Sequence, residues 1–269
     1  MIQLQGKAVN IGHFPDGTLL LKENIQDTDK NTPVVITWKF ENNEELLALY
    51  FLTKHIKTAG YENILLDMPY IPNARQDRVK EAEDVFTLKY FAQLLNSLGF
   101  AKVRVLDAHS NVSLALIDRV ENQSPQPYIQ QVITAIQKER GKSPLLFYPD
   151  EGAKKRYGSM IPEPYCFGMK ERDWGSGKIK NLTLLGEKDS IQGRDILMVD
   201  DICSYGGTFL FSAEKLKEAG AENIYLYVSH CEENIFQGEL LESGYITRIY
   251  TTDSIFRKDH KDITVVRKK

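Results

Sequence analysis

The sequence predicts an α/β fold of two halves, each a mainly parallel sheet flanked by helices. Three observations carry this. First, a helical pattern ends in glycine and an apolar run starts four residues later: Thr58-Ala59-Gly60 before Ile64, Leu98-Gly99 before Val103, and Ala219-Gly220 before Ile224. Repeated helix-to-strand units of this kind build parallel sheets covered by helices. Second, two of these units fall before residue 110 and one after residue 190. Third, Glu121 to Pro127 is polar and twice interrupted by proline, the composition of a junction. The halves are expected over residues 1–125 and 126–269. A chain of 269 residues supplies core enough for one or two such domains.

Along the chain, the strand Ile64-Leu65-Leu66 leads into Met68-Pro69-Tyr70-Ile71-Pro72-Asn73-Ala74-Arg75-Gln76-Asp77-Arg78. Two prolines and an asparagine keep this stretch out of regular structure. Arg75 and Arg78, on a loop after a strand, suit phosphate recognition, and a solvated charged loop has the same composition. The strand at Val103 ends in Asp107-Ala108-His109-Ser110, where His109 can be structural or functional. The strand Leu145–Tyr148 is followed by Pro149-Asp150-Glu151-Gly152 and a basic segment, Lys154-Lys155-Arg156. Gly168 to Gly177 is glycine-flanked and carries Lys170 and Arg172, so it reads as a mobile loop with two cations.

Next comes the stretch with the clearest chemistry. Ile196 to Val199 is an apolar run expected as a buried strand. Thr208 to Ala219 has apolar residues at 209, 213 and 216 and a glycine stop at Gly220, so it is expected as a helix. Between them lie Asp200, Asp201 and a short loop, Ser204-Tyr205-Gly206-Gly207. Loop N–H groups and a helix N-terminus hold phosphate. Two carboxylates beside such a cradle would repel the anion unless they face something else. A vicinal diol or a metal ion meets that need. An N-cap carboxylate beside a Gly-Gly turn would use the same residues.

Composition narrows the classes. Hydrophobic content of 42% and charged content of 26% are those of a globular protein. A net charge of −3 offers no polybasic footprint for nucleic acid or membrane. No apolar run approaches a membrane span, and Met1-Ile2-Gln3-Leu4-Gln5 has no signal-peptide layout. Cys166, Cys203 and Cys231 form no CxxC pair, so a reducing compartment and a cytoplasmic protein are expected. GxxxxGK[ST], HExxH and a nucleophile elbow do not occur. Gly175-Ser176-Gly177-Lys178-Ile179-Lys180 starts like GxGxxG but ends in lysine.

Asp200 to Thr208 resembles the phosphoribosyl-pyrophosphate (PRPP) loop of type I phosphoribosyltransferases and PRPP synthetases. Taken in order, the clusters resemble the ribose-phosphate pyrophosphokinase (PRPP synthetase) family from about Phe14 to Ser254, with this chain a divergent short member. The resemblance implies two phosphoribosyltransferase-like halves, the first synthetase-like and the second carrying the PRPP loop. It implies ATP binding by Phe14, Asp16, Arg75, Gln76, Asp77 and Arg78. Mg²⁺ is implied at His109 and Asp150, catalytic cations at Lys170 and Arg172, and ribose phosphate at Asp200, Asp201, Ser204, Tyr205, Gly206, Gly207 and Thr208. Phe14-Pro15-Asp16-Gly17 resembles a segment that reaches a neighbouring subunit's adenine, which implies a homo-oligomer. Ser229-His230 falls where the family has Thr-His.

The implied reaction is Mg²⁺-dependent transfer of pyrophosphate from ATP to the anomeric hydroxyl of ribose 5-phosphate, giving PRPP and AMP. The partners are then ATP and the acceptor, with no nucleic acid and no membrane. Ser204-Tyr205 stands where synthetases carry Asp-Thr, and Thr18 where a glutamate is usual. The same chemistry on a 5′-extended ribose such as ADP-ribose therefore stays open. So do a type I phosphoribosyltransferase, which needs neither Arg75–Arg78 nor His109, and a non-catalytic synthetase-associated regulator, which needs neither Lys170 nor Arg172.

Overall fold

The computed structural model describes residues 1–25, 29–30, 32–172 and 179–267; the side chains of residues 170–172, 179–181 and 188 lie outside that description. The chain divides into two compact units, Met1–Ser124 and Pro125–Lys269.

In the first unit, β1 (Ile2–Leu4) and β2 (Lys7–Ala8) form an antiparallel edge, and β3 (Ile11–His13) and β4 (Leu19–Leu21) a separate hairpin. Then come β5 (Val34–Trp38), α1 (Glu44–Thr58), β6 (Ile64–Asp67), α2 (Thr87–Ser97), β7 (Lys102–Leu106), α3 (Asn111–Leu116) and β8 (Val120–Gln123). The main sheet runs β2-β1-β5-β6-β7-β8, with β5 to β8 parallel. β5 shows why: Val34, Ile36 and Trp38 are fully buried and alternate with half-buried Val35 and Thr37. α2 buries Leu88, Phe91, Ala92 and Leu95 at helical spacing. Each fully buried aliphatic side chain of this kind contributes about 1.5–3 kcal/mol. Buried Glu45 is satisfied rather than stranded, accepting from Trp38 Nε1 at 3.0 Å and from the Glu41 N–H at 2.8 Å.

In the second unit, α4 (Gln126–Arg140) precedes β9 (Leu145–Tyr148), α5 (Glu151–Tyr157), β10 (Tyr165–Arg172), β11 (Ile179–Gly186), β12 (Ile196–Cys203), α6 (Gly207–Glu218), β13 (Ile224–Cys231), β14 (Arg248–Thr251) and β15 (Ile263–Val265). Among the described residues the sheet order is β11-β10-β9-β12-β13-β14-β15, parallel except for β11. One face packs Ile196, Met198, Ile224 and Leu226 against Phe209, Ala213 and Leu216 of α6. The other packs Leu197, Val199, Tyr225 and Tyr227 against α4 and α5. Covered on both faces, β13 is buried at every position, the pattern of a central parallel strand.

The expected α/β architecture is therefore present. Gly60, Gly99 and Gly220, the three helix stops, all take left-handed backbone, which ends a helix without a Cβ clash. Three expectations shift. The polar segment 121–127 is mostly regular: β8 takes Val120–Gln123 as an edge strand, where polar side chains reach solvent, and Pro127 sits in the first turn of α4, where its missing N–H costs nothing. β12 does not stop at Val199 but carries both aspartates, because it stays paired to β13 out to Cys203 opposite Cys231. Residues 168–172 are not loop: Gly168 to Arg172 continue β10 and pair antiparallel with β11, which supplies their backbone partners.

Candidate active site

In the second unit the chemistry collects at the carboxyl end of β12, the edge where open α/β sheets bind ligands. Gly206 caps α6 in left-handed conformation, φ 83°, and its carbonyl accepts from the N–H groups of Phe209 at 3.0 Å and Leu210 at 2.9 Å. A Cβ there would lie 2.8 Å from the Leu240 side chain. Gly207 starts the helix with open space around it. The N-terminus of α6, with open space around Gly207, thus offers backbone N–H groups as a cradle for an anion. Ser204 and Thr208 are half-buried beside it, and Tyr205 is 54% exposed. A Cβ at Gly238 would overlap the Tyr205 carbonyl, so that glycine sets how closely Leu240 and the loop approach.

The acid pair is not symmetric. Asp201 is 3% exposed, and its Oδ1 pairs with Arg156 Nη1 of α5 at 2.9 Å. Asp200 keeps an edge at solvent, and its Oδ1 accepts the Asp201 N–H at 2.9 Å. Burial pushes the Asp200 carboxyl well above the ordinary carboxylate range, and the charges of Asp201 and Asp150 push it further. Asp150 is the N-cap of α5, its Oδ1 accepting the Ala153 N–H at 3.0 Å. Lys170 and Arg172 lie on β10, which pairs with β9 through Tyr165–Phe167; their side chains, and residues 173–178 beyond them, lie outside the described residues.

In the first unit the loop after β6 and the end of β7 line a cleft of about 350 Å³ with Arg75, Gln76, Asp77, Arg78, Lys80, Asp84 and His109. Arg78 donates to Asp77 through Nε at 2.7 Å and Nη2 at 3.2 Å. That hydrogen bonding holds the Asp77 carboxyl below its usual range against its burial, with Ser110 and His109 adding to it. Asp107, φ 45°, turns the chain after β7 and is buried. Gln76 accepts from Thr87 Oγ1 at 2.9 Å. Arg75, Gln76, Asp77, Arg78 and His109 thus share one cleft. Phe14 and Asp16 sit at the tip of the β3–β4 hairpin. Asp16 Oδ1 accepts from the Thr18 N–H at 3.0 Å and the Thr18 hydroxyl at 2.7 Å, which lower its pKa, and Phe14 is 49% exposed.

Residues 1–99 match the family model for the N-terminal domain of ribose phosphate pyrophosphokinase. A ribose-phosphate pyrophosphokinase of Shewanella oneidensis is 27% identical over 260 residues, covering 93% of this chain and 79% of that protein. One of Sulfolobus acidocaldarius is 27% identical over 272 residues, covering 98% and 90%. The chain is similar to ribose-phosphate pyrophosphokinases over most of its length. The fold agrees: phosphoribosylpyrophosphate synthetase from Mycobacterium smegmatis superposes with a TM-score of 0.77 at 18% identity, over 96% of this chain and 85% of that one.

One residue of the site had no distinct signal in the sequence. Arg156 stands in a run of three cations, Lys154-Lys155-Arg156, and only the fold selects it as the partner of Asp201. Buried His230 ends β13 with Nδ1 at 2.8 Å from Ser254 Oγ. Ser254 Oγ also lies 3.1 Å from the Ser229 carbonyl. Among the described residues, no helix is long and apolar enough to cross a membrane.

Proposed function

We propose that this chain transfers pyrophosphate from ATP to the anomeric hydroxyl of ribose 5-phosphate, giving PRPP and AMP. The observation that carries the reading is the end of β12: an acid pair leading into a glycine-capped helix N-terminus, in a chain similar to ribose-phosphate pyrophosphokinases. The cradle of α6 would take the 5′-phosphate, with Ser204, Tyr205, Gly206, Gly207 and Thr208 around it. Asp200 and Asp201 serve the ribose side. The first unit, taken as the synthetase-like domain, would take ATP through Phe14, Asp16, Arg75, Gln76, Asp77 and Arg78. Guanidinium groups suit phosphate oxygens geometrically.

Asp200 is half-buried beside two further carboxylates, a concentration of negative charge that a divalent cation would relieve. Asp150 is a proposed ligand, and His109, within its own unit, is separately proposed to serve the metal; Mg²⁺ takes few protein ligands and keeps waters. When bound, Mg²⁺ neutralises charge on the triphosphate. Lys170 and Arg172 would add positive charge where it develops in the transition state. The protein's remaining work is positioning the anomeric hydroxyl in line with the β-phosphorus.

A second acceptor is favoured by one observation. Tyr205 is large and exposed at the mouth of the cradle, beside Ser204. An exposed phenol ring there offers a stacking surface to a 5′-extended ribose such as ADP-ribose. The experiment supplies ATP, Mg²⁺ and each acceptor and measures AMP with the pyrophosphorylated product. AMP formed with ribose 5-phosphate supports the reading. Absence of AMP with either acceptor overturns it. A tenfold preference in kcat/KM for ADP-ribose, about 1.4 kcal/mol, replaces the acceptor and keeps the chemistry.

A further inference from the structure

We infer that Gly238 and Leu240 are positioning residues for the acceptor's 5′-phosphate. They clamp the peptide between Tyr205 and Gly206 and hold its N–H toward the anion cradle. The inference rests on the proposed function and deepens it.

The segment after β13 is anchored on both sides of its contact with the loop. The Glu232 N–H donates to the Cys203 carbonyl at 2.8 Å, which ties the start of the segment to the end of β12. Glu233–Gln237 then form a 3₁₀ turn. Ile235 and Leu240 are buried in the same core as Phe209 of α6. Beyond them, the Ser243 hydroxyl donates to the Leu240 carbonyl at 2.7 Å. This segment meets the loop at two consecutive residues. A Cβ on Gly238 would overlap the Tyr205 carbonyl oxygen and lie 2.8 Å from the carbonyl carbon. Leu240 lies against Gly206, where a Cβ would meet both Cβ and Cδ2 of Leu240 at 2.8 Å.

The backbone of Gly238 does not itself call for glycine. Its φ of −97° and ψ of 175° are open to any L-residue. What calls for glycine is the close approach of the Tyr205 peptide. That peptide is trans, so its C=O and N–H point in opposite directions. With the Tyr205 oxygen against Gly238, the Gly206 N–H leaves on the far side of the peptide. There it joins the N–H groups at the start of α6, beside the open space at Gly207. Leu240, braced against Gly206, opposes rotation of the same peptide. Neither Gly238 nor Leu240 touches substrate in this scheme; both act through the loop backbone.

A 5′-phosphate is remote from the anomeric carbon. Contacts to it hold the ground state and the transition state alike, so losing them raises KM and spares kcat. The test compares Gly238→Ala, Leu240→Ala and Gln237→Ala with the wild type by steady-state kinetics and thermal melting. The acceptor is the one the wild type turns over with ATP and Mg²⁺, ribose 5-phosphate or ADP-ribose. Gly238→Ala is expected to raise KM for the acceptor about tenfold or more, with kcat and KM for ATP within about twofold. Leu240→Ala removes the brace without adding a clash, and should raise acceptor KM about threefold or more with the same split. It decides the matter if Gly238→Ala does not fold. Gln237 is exposed on the same segment, and Gln237→Ala should match the wild type. A lower melting temperature or a lower kcat at unchanged acceptor KM overturns the inference, since the contact is then merely structural. An equal rise in acceptor KM for Gln237→Ala also overturns it. Wild-type protein that forms AMP with neither acceptor overturns the proposed function, and this inference with it.

Discussion

Replacing Gly206 with alanine should destabilise the second unit, while the same change at Gly207 should not. Gly206 has φ 83°, and an added Cβ would come 2.8 Å from both Cβ and Cδ2 of Leu240. Left-handed backbone costs an L-residue about 1–2 kcal/mol. The contact cannot be relieved by a rotamer change alone, because Leu240 Cβ moves only with its backbone. Overpacking of that kind costs about 1–3 kcal/mol. Together the loss is about 2–5 kcal/mol. At about 2–4 °C per kcal/mol for a domain of this size, the melting transition should fall by about 4–20 °C. Gly207 differs in both respects: nothing lies within 4 Å of a Cβ there, and it opens α6. Alanine at a helical position gains up to about 1 kcal/mol over glycine. Gly207→Ala should therefore melt at or above the wild type, yet bind the acceptor phosphate more weakly, because its methyl group stands before the N–H cradle. Calorimetric unfolding of both variants, with ribose 5-phosphate titration, is the assay. A Gly206→Ala protein that melts within about 1 °C of wild type would refute the reasoning.

Lys170→Ala or Arg172→Ala should lower kcat about 10²-fold or more with less change in KM for ATP, the scale of a lost transition-state charge contact; steady-state kinetics with near-normal turnover in both would remove them from catalysis. Asp200 has its carboxyl pKa raised by burial and by Asp201, so the folded state holds that proton more tightly than the unfolded chain. Its stabilising effect is full below the ordinary carboxylate range and is lost as pH rises through the raised value. Melting of metal-free wild type should therefore fall relative to Asp200→Asn as pH rises above the ordinary carboxylate range; parallel curves would contradict this. If Phe14 and Asp16 serve a neighbour's nucleotide, light scattering at assay concentration should show at least a dimer, and a fully active monomer would exclude it.

The fold was legible because its signals are local. Glycine stops four residues ahead of apolar runs report backbone dihedrals, and dihedrals are set by the residue itself. The lengths of strands were less legible. β12 reads as ending at Val199 because aspartate disfavours strands, yet pairing with β13 continues through Asp200 and beyond. The glycine-flanked stretch at Gly168 reads as loop, while antiparallel pairing with β11 makes Gly168 to Arg172 a strand. Both errors have one cause: a strand's partner lies far away in sequence, and window composition does not contain it.

The candidate site divides along the same line. Arg75, Gln76, Asp77 and Arg78 were recognisable as a group because one loop carries them, and the cleft adds Lys80 and Asp84 from the same loop and His109 from the next strand end. The asymmetry of Asp200, which keeps an edge at solvent, and Asp201, which is buried against Arg156, was not recognisable, since two identical adjacent residues carry no signal that tells them apart. That difference comes from α5. Its one turn from Asp150 to Ala153 is written locally as an N-cap, whereas the choice of Arg156 over Lys154 and Lys155 is written only in how the helix lies on the sheet. Lys154 instead lies 4.2 Å from the Phe167 ring centroid, and exposed Lys155 pairs with Glu151. Three consecutive cations thus have three different environments, and the one that reaches the acid pair is a guanidinium. A guanidinium keeps its charge when buried and is less strongly hydrated than an ammonium, so it is the cation that can follow Asp201 into the interior.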